Sequence, residues 1–188
     1  MIRLGKRRSK FLEGLVLFNT DNQSAGWLEW TRNLVNIKSL SSTDLVSETV
    51  VDYLVSYHFG SGASERRPRL VESYREYFRS LPSRNLSKLL SSYNSRNTLK
   101  LARDIAANGK TILGANRTLK MSVLNIVGEF SPSLEQTVNF NGKLDPELCT
   151  WMKINEAGLV VVEQVEKVAQ SLILFLQGLG YTLRKPLR

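Results

Sequence analysis

Cysteine and histidine are scarce in this sequence of 188 residues: Cys149 and His58 occur once each. A lone cysteine cannot form an internal disulfide, which excludes a disulfide-rich secreted scaffold. One cysteine and one histidine also cannot supply the ligands of a Cys/His zinc cluster. We therefore expect no metal and no cofactor, and we interpret Cys149 as an inert thiol beside an apolar strand.

Long apolar runs are also missing. No stretch approaches the roughly 20 residues that a membrane-spanning helix needs. The N-terminus is basic enough for a signal peptide, but Glu13 interrupts the following apolar segment 11–18, and that segment lacks a small-residue cleavage site. The predicted location is therefore the cytoplasm.

Familiar catalytic and nucleotide-binding motifs are lacking too. Gly109–Thr111 resembles the end of a phosphate-binding loop, but the first glycine of that motif is missing. Gly60–Gly62 does not fit the Gly-x-Ser-x-Gly elbow of hydrolases. His58 lies in a helical pattern between aromatic residues, which favours a packed histidine over a catalytic one. The pair Glu163 and Glu166 is interpreted as one exposed helix face.

Positive charge is unevenly distributed along the chain. Lys+Arg number 26 and Asp+Glu 17, which gives a net charge of +9. Segments 1–10 and 184–188 carry +5 and +3 of this excess, so the rest of the chain is nearly neutral. A nucleic-acid-binding domain is expected to carry its basic residues on a folded face, so nucleic acid is not the favoured partner. Weak contact of Lys6, Arg7, Arg8 and the C-terminal basic residues with an anionic membrane is an open alternative.

The hydrophobic pattern predicts an α/β fold. Three short apolar segments are typical of parallel strands that are covered on both faces; they are residues 14–19, 122–127 and 150–155. Helical patterns at 133–140 and 162–179 follow the second and third segments, and this alternation predicts parallel pairing. From about residue 26 to 107 the pattern is helical, which predicts a helical cap inserted between the first two strands.

Five segments resemble, in order, the N-myc downstream-regulated (NDRG) family; they are residues 14–30, 93–99, 123–132, 141–146 and 175–181. The resemblance implies a partial α/β-hydrolase-like fold, made of the last parallel strands with flanking helices and a helical cap. It covers residues 11–183, between an unmatched basic segment 1–10 and a basic tail 184–188. We expect a truncated member that lacks the strands and the nucleophile elbow preceding Gly14 in the family.

The same resemblance implies that the catalytic triad is degenerate. Active hydrolases with this sheet commonly carry an aspartate where this chain has Ser131, and Glu129 is an acid two residues earlier. The catalytic histidine is expected after the last strand, where Gly158 stands. Without an imidazole no general base activates a serine, so the chain is expected to be a pseudoenzyme.

Family membership further implies a cytoplasmic signalling protein of differentiation and stress response that acts through binding. The candidate binding residues are Trp27, Trp30, Tyr93 and Asn94, and the partners are expected to be proteins that the sequence does not identify. Two alternatives stay open: a residual esterase, and a basic module that binds membranes or nucleic acid.

Overall fold

The computed structural model of the chain describes residues 12–101 and 118–181. The predicted basic segments 1–10 and 184–188, the loop Gly109–Thr111 and the last part of the predicted cap, 102–107, lie outside these ranges. The chain divides into two units. We call Met1–Asp21 with Leu99–Arg188 the sheet unit and Asn22–Thr98 the helical unit.

The described residues form three strands and eight helices. They are β1 (Gly14–Phe18), α1 (Trp27–Ser42), α2 (Glu48–Phe59), α3 (Ala63–Arg66), α4 (Pro68–Arg79), α5 (Ser83–Asn94), β2 (Ser122–Gly128), α6 (Leu134–Asn141), β3 (Cys149–Ile154), α7 (Val160–Glu163) and α8 (Val165–Gly178).

The three strands form one parallel sheet with β2 in the centre. Leu17 of β1 is in register with Asn125 of β2, which is in register with Trp151 of β3. Each strand lies within one residue of its predicted bounds, and the predicted α/β class with parallel pairing is confirmed.

Burial differs among the strands. β2 is buried from Val123 to Gly128, as predicted for a strand covered on both faces. The same prediction is wrong for β3, because Thr150–Lys153 are exposed. β3 lies at one border of the described sheet, where a strand has only one neighbour.

Helices cover both faces of the sheet around two apolar clusters. One cluster unites β1 and β2 with Phe140 and Leu144 at the end of α6. The other unites the opposite face of β2 with Val160 of α7 and Val168 of α8, with Phe175 packed against it. The alternation of strand residues between these clusters follows the two-residue period of a strand.

The predicted helix 162–179 is observed as α8 over Val165–Gly178, but its first residues belong to the separate α7. It is split at Gln164, whose φ of −139° and ψ of 51° end α7 before α8 begins. Val165 and Leu176 of α8 are exposed although they are apolar. The inward stripe instead runs through Val168, Ser171, Leu172 and Phe175, at three- and four-residue spacing.

The helical unit has its own core. Helix α1 packs on α5, and α2 packs on α4. Apolar side chains fill the interior: Leu40, Val50, Val51, Leu54, Val55, Phe59, Val71, Phe78, Leu86 and Leu90. Helix α1 is unusual among these helices, since two of its three buried residues are Asn33 and Asn36.

Candidate functional site

Parallel α/β folds bind ligands beyond the C-terminal ends of their strands, so the carboxyl edge of the sheet is a candidate functional site. Asn19 directly follows β1 with a φ of 46°, a left-handed conformation that asparagine tolerates. Its side-chain Nδ2 donates to the Gly158 carbonyl at 2.8 Å, and its Oδ1 accepts from the Gly128 N–H at 3.1 Å. Asn19 therefore joins the segments that follow all three strands.

Gly128 is required where β2 meets this network. A Cβ at this position would overlap the backbone carbonyl oxygens of Ala157 and Gly158. The close approach allows the Gly128 N–H to reach Asn19 and the Phe130 N–H to donate to the Ala157 carbonyl at 2.9 Å. The loops after β2 and β3 are thus held together by backbone and amide groups.

The predicted acid position holds a serine with a structural role. Ser131 is buried, and its Oγ accepts from the Ser133 N–H at 3.2 Å just before α6. Glu129 carries the nearby carboxylate, which accepts from the Glu156 N–H at 3.0 Å and lies 3.7 Å from Lys153 Nζ. Ser131 and Glu129 both stabilise local backbone.

Gly158, the predicted histidine position, is bonded through its backbone to the carboxylate of Glu163 in α7. The N–H groups of Gly158 and Leu159 both donate to Oε2 of Glu163, each at 2.7 Å. The interpretation of Glu163 as an exposed helix face is therefore wrong, because this side chain caps the loop after β3. With the Gly158 carbonyl bonded to Asn19, both backbone groups of Gly158 are engaged.

The candidate residues Tyr93 and Asn94 lie at the end of α5, inside the helical unit. The Tyr57 hydroxyl donates to the Tyr93 hydroxyl, and the Asn94 amide lies 3.4 Å from both Asn33 Nδ2 and the Trp30 carbonyl. These side chains join α5 to α1 and α2. Their predicted binding role stays a prediction.

Arg96 adds further polar contacts beside Tyr93 and Asn94. Its guanidinium donates to both carboxylate oxygens of Glu29, at 2.9 and 3.1 Å, and to the Gln23 carbonyl at 2.9 Å. It also lies 3.9 Å from the centre of the Tyr93 ring, in cation–π geometry. The charge of Glu29 is thus neutralised within the helical unit.

Burial favours the uncharged forms of three ring side chains of this unit, Tyr53, Tyr93 and His58. Burial, followed by the neighbouring Tyr57, raises the pKa of Tyr53 to about 12. Burial and the Tyr57 hydrogen bond raise the pKa of Tyr93 as well. Burial lowers the pKa of His58, which stacks on Phe78 with ring centres 5.7 Å apart. The packed histidine predicted from the sequence therefore agrees with its surroundings.

The candidate residues Trp27 and Trp30 differ from Tyr93 and Asn94 in being exposed. Their rings stack on each other with centres 6.4 Å apart and an interplanar angle of 21°. Further exposed apolar side chains of α1 adjoin them, and together they form a surface that we call the apolar face of α1: Trp27, Leu28, Trp30, Leu34 and Val35. This face is the candidate binding surface of the helical unit.

Two apolar grooves flank α8 in the sheet unit. One, of about 360 Å³, lies between α8 and strands β2 and β3 and is lined by residues such as Met152 and Leu174. The other, of about 530 Å³, lies along β1 between Val16 and Leu176. The first groove has one titratable side chain in its lining, Glu147. The second has Glu13 and Tyr181, whose hydroxyl donates to the Glu13 carboxylate, and its other described lining residues supply no base or nucleophile to act with them.

No three His, Cys, Asp or Glu side chains within 12–101 and 118–181 converge on a point that could hold a metal ion. In the same part of the chain, no helix has the length and apolar character needed to cross a membrane.

Solved structures identify the class of fold. The chain is similar to an enol-lactonase from Burkholderia xenovorans LB400 (TM-score 0.68, 15% identity, 94% of this chain and 60% of that chain). It is also similar to a thermophilic esterase from Thermogutta terrifontis (TM-score 0.69, 18% identity, 93% and 60%). A third similar structure is MGS-M2, an alpha/beta hydrolase enzyme from a Medee basin deep-sea metagenome (TM-score 0.68, 14% identity, 99% and 63%). The three-stranded parallel sheet with its helices is thus a partial α/β-hydrolase-like fold.

The family follows from sequence. A family model described as Ndr family matches residues 1–183, so the chain belongs to the Ndr family. Protein NDRG1-A of Xenopus laevis is 30% identical over 183 residues, which cover 96% of this chain and 43% of that protein. Protein NDRG2 of Bos taurus is 32% identical over 172 residues, covering 90% and 43%. The resemblance predicted from the five segments is confirmed, and the chain spans less than half the length of these relatives.

Sequence reasoning missed the residues that organise both candidate regions. Asn19 stands directly after a strand, a position that could have indicated a role at the carboxyl edge. Glu163 follows Gly158 by five residues, close enough for a local cap. Glu29 and Arg96 carry no local signal, because 67 positions separate them in the sequence.

Proposed function

We propose that this chain is a non-catalytic member of the Ndr family that acts by binding, in cytoplasmic signalling, differentiation and stress response. One observation carries the proposal. The positions where an active hydrolase with this sheet would place its acid and its imidazole hold Ser131 and Gly158, and both are engaged in hydrogen bonds within their own loops.

Physical chemistry supports the loss of hydrolase activity. Acyl transfer by a serine needs a general base within hydrogen-bond reach and an acid that orients it. Gly158 has no side chain, and the nearby carboxylates of Glu129 and Glu163 already accept backbone N–H groups. His58, the only histidine of the sequence, belongs to the helical unit and stacks on Phe78.

A binding role draws support from the apolar face of α1. Trp27 and Leu28 are each 76% exposed and Val35 is 64% exposed, and all three lie on a single helix. Contiguous exposed apolar patches on soluble proteins commonly mark interaction sites. Tryptophan is also enriched among the residues that dominate binding energies.

Activity measurements test the non-catalytic part of the proposal. We expect the purified chain to leave a series of fluorogenic acetyl to octanoyl esters unhydrolysed, and to resist labelling by a fluorophosphonate probe. Ester turnover that His58→Ala abolishes would contradict the proposal and favour a residual esterase.

A comparison of bound material tests the binding part. The tagged wild-type chain and its Trp27→Ala/Trp30→Ala variant are compared by quantitative mass spectrometry of co-purified proteins and lipids. Trp151→Ala is the matched control, because Trp151 is 42% exposed on β3. We expect the double variant to lose a defined set of molecules that the control retains; identical sets from all three chains would contradict a binding role for this surface.

A further inference from the structure

The amphipathic pattern of α1 is inverted relative to an ordinary helix of a globular protein. Asn33 and Asn36 are 0% and 4% exposed, while the five residues of the apolar face point outward. Interior asparagines cost free energy unless their amides are bonded, and Asn33 Oδ1 and Asn36 Nδ2 have no partner in the described part of the chain. The folding of the helical unit therefore does not account for the outward position of the apolar residues.

The apolar face occupies two rows on the first half of α1. At 100° per residue, Trp27, Trp30 and Leu34 fall on one side of Thr31, and Leu28 and Val35 fall on the other. The Thr31 hydroxyl donates to the Trp27 carbonyl at 2.8 Å, so its hydrogen atom is used within the helix. The patch thus offers aromatic and aliphatic groups to any surface it meets.

Positive charge borders this patch. Lys38 lies one turn beyond Leu34 on the same side of α1, and Arg32 lies one turn from Leu28 and adjoins Val35. Both side chains are exposed, and neither takes part in an ion pair with another described residue. Glu29, the only acid in the α1 sequence, is neutralised by Arg96.

We propose that the apolar face of α1 inserts into the headgroup region of an anionic phospholipid bilayer. Tryptophan and leucine would enter the boundary between headgroups and acyl chains, and Arg32 and Lys38 would meet the lipid phosphates. This inference rests on the proposed binding role and names the partner. The net charge of +9, most of it in segments 1–10 and 184–188, attracts the chain as a whole to an anionic surface over long range.

The charges favour a lipid surface over a second copy of the chain. In a symmetric dimer, each apolar face would meet the same face of its partner, together with another Arg32 and another Lys38. No free acid on α1 would compensate these cations, because Glu29 is already paired. The lipid phosphates of an anionic bilayer supply the negative charge that Arg32 and Lys38 need.

Flotation with sized vesicles tests the inference on the purified chain. The vesicles are phosphatidylcholine alone or phosphatidylcholine with phosphatidylserine. We expect binding to the mixed vesicles, weakened about tenfold or more by Trp27→Ala/Leu28→Ala, since each buried side chain of this size contributes substantially to partitioning. Leu34→Gln/Val35→Gln is a second variant at exposed positions, so its folding, checked by circular dichroism, is expected to be intact.

Two matched controls separate the patch from other sources of binding. Trp151→Phe leaves the apolar face unchanged and is expected to bind as wild type. A variant with Lys6, Arg7 and Arg8 replaced by glutamine tests the basic N-terminal segment, and we expect it to keep most of its binding. Brominated lipids should quench Trp27 and Trp30 in the Trp151→Phe variant.

Three outcomes would overturn the inference. The first is vesicle binding that the two patch variants leave unchanged while the glutamine variant loses it. The second is a lipid-free dimer that the patch variants convert to monomer in analytical ultracentrifugation. The third is no vesicle binding at all. If proteins still co-purify through Trp27 and Trp30 and no ester is hydrolysed, the proposed function stands while the lipid inference fails.

Discussion

The guanidinium of Arg96 donates to both carboxylate oxygens of Glu29, at 2.9 and 3.1 Å, and so joins the segment after α5 to the first turn of α1. The two side chains are only 17% and 30% exposed. Charge-assisted bonds with this degree of burial are stronger than ordinary surface ion pairs.

We expect Arg96→Ala to destabilise the protein by about 1–3 kcal/mol, because it leaves the Glu29 carboxylate without its donors and removes the contact with the Tyr93 ring. Chemical denaturation followed by circular dichroism measures the change. Arg84→Ala is the matched control: its pair with Asp44, at 3.8 Å between 80% and 89% exposed side chains, should contribute less than about 0.5 kcal/mol. Equal effects of the two substitutions would contradict the role given to Arg96.

Asn19 and Glu156 are both non-glycine residues in the left-handed backbone conformation, with φ of 46° and 60°. They can therefore be compared to separate backbone strain from side-chain bonding. Glycine relieves the backbone strain at either position. We expect Glu156→Gly to change the free energy of unfolding by less than about 1 kcal/mol. Asn19→Gly should destabilise by about 1–3 kcal/mol despite the same relief, because it removes the bonds to Gly128 and Gly158. Similar results for both variants would show that the Asn19 amide contributes little.

Asn125 lies fully buried in the central strand, and neither its Oδ1 nor its Nδ2 has a partner within the described ranges. Its side chain lies on the same face of β2 as Val123, toward apolar residues. We expect Asn125→Leu to stabilise the protein by about 1–2 kcal/mol, because it removes unpaired polar atoms and keeps the volume. Asn125→Ala removes the same atoms but leaves a cavity, and should be close to neutral. Destabilisation by Asn125→Leu would indicate that the amide is bonded in solution.

Burial lowers the pKa of His58 from its ordinary value of 6.5. The unfolded chain then binds more protons than the folded chain below pH 6.5, so the free energy of unfolding decreases as the pH falls from about 6.5 toward the folded pKa. Above that window the contribution of His58 is constant. We expect His58→Phe to remove this part of the pH dependence, measured by urea denaturation at a series of pH values. An unchanged slope in the variant would assign the dependence to other groups.

The sequence was sufficient to predict elements with strong local signals. The β-branched and apolar runs at 14–19, 122–127 and 150–155 identified the three strands of the described residues, and their alternation with helices predicted parallel pairing. The exposure of β3 was not predictable in the same way. A run such as Thr150–Ile154 looks alike in a central and a border strand, and only the neighbours decide between them.

The candidate site shows the same division between local and long-range information. Ser131 and Gly158 were singled out by the family resemblance, whereas the Glu163 cap depends on the break at Gln164 that separates α7 from α8. The inversion of α1 could not be derived from periodicity. A helical pattern gives the position of its apolar stripe but not the direction in which the fold turns that stripe.

The outward apolar face of α1 has a consequence for how natural variants of this protein can be interpreted. Substitutions in an ordinary core are filtered by stability, so a retained leucine there says little about function. Trp27 and Leu28 are 76% exposed, and replacing them by small polar residues costs the fold little. If aromatic and aliphatic residues are nevertheless kept at these positions in natural variants, the selection acts on binding by the apolar face of α1. The pattern of natural substitutions would therefore distinguish selection for binding from selection for folding.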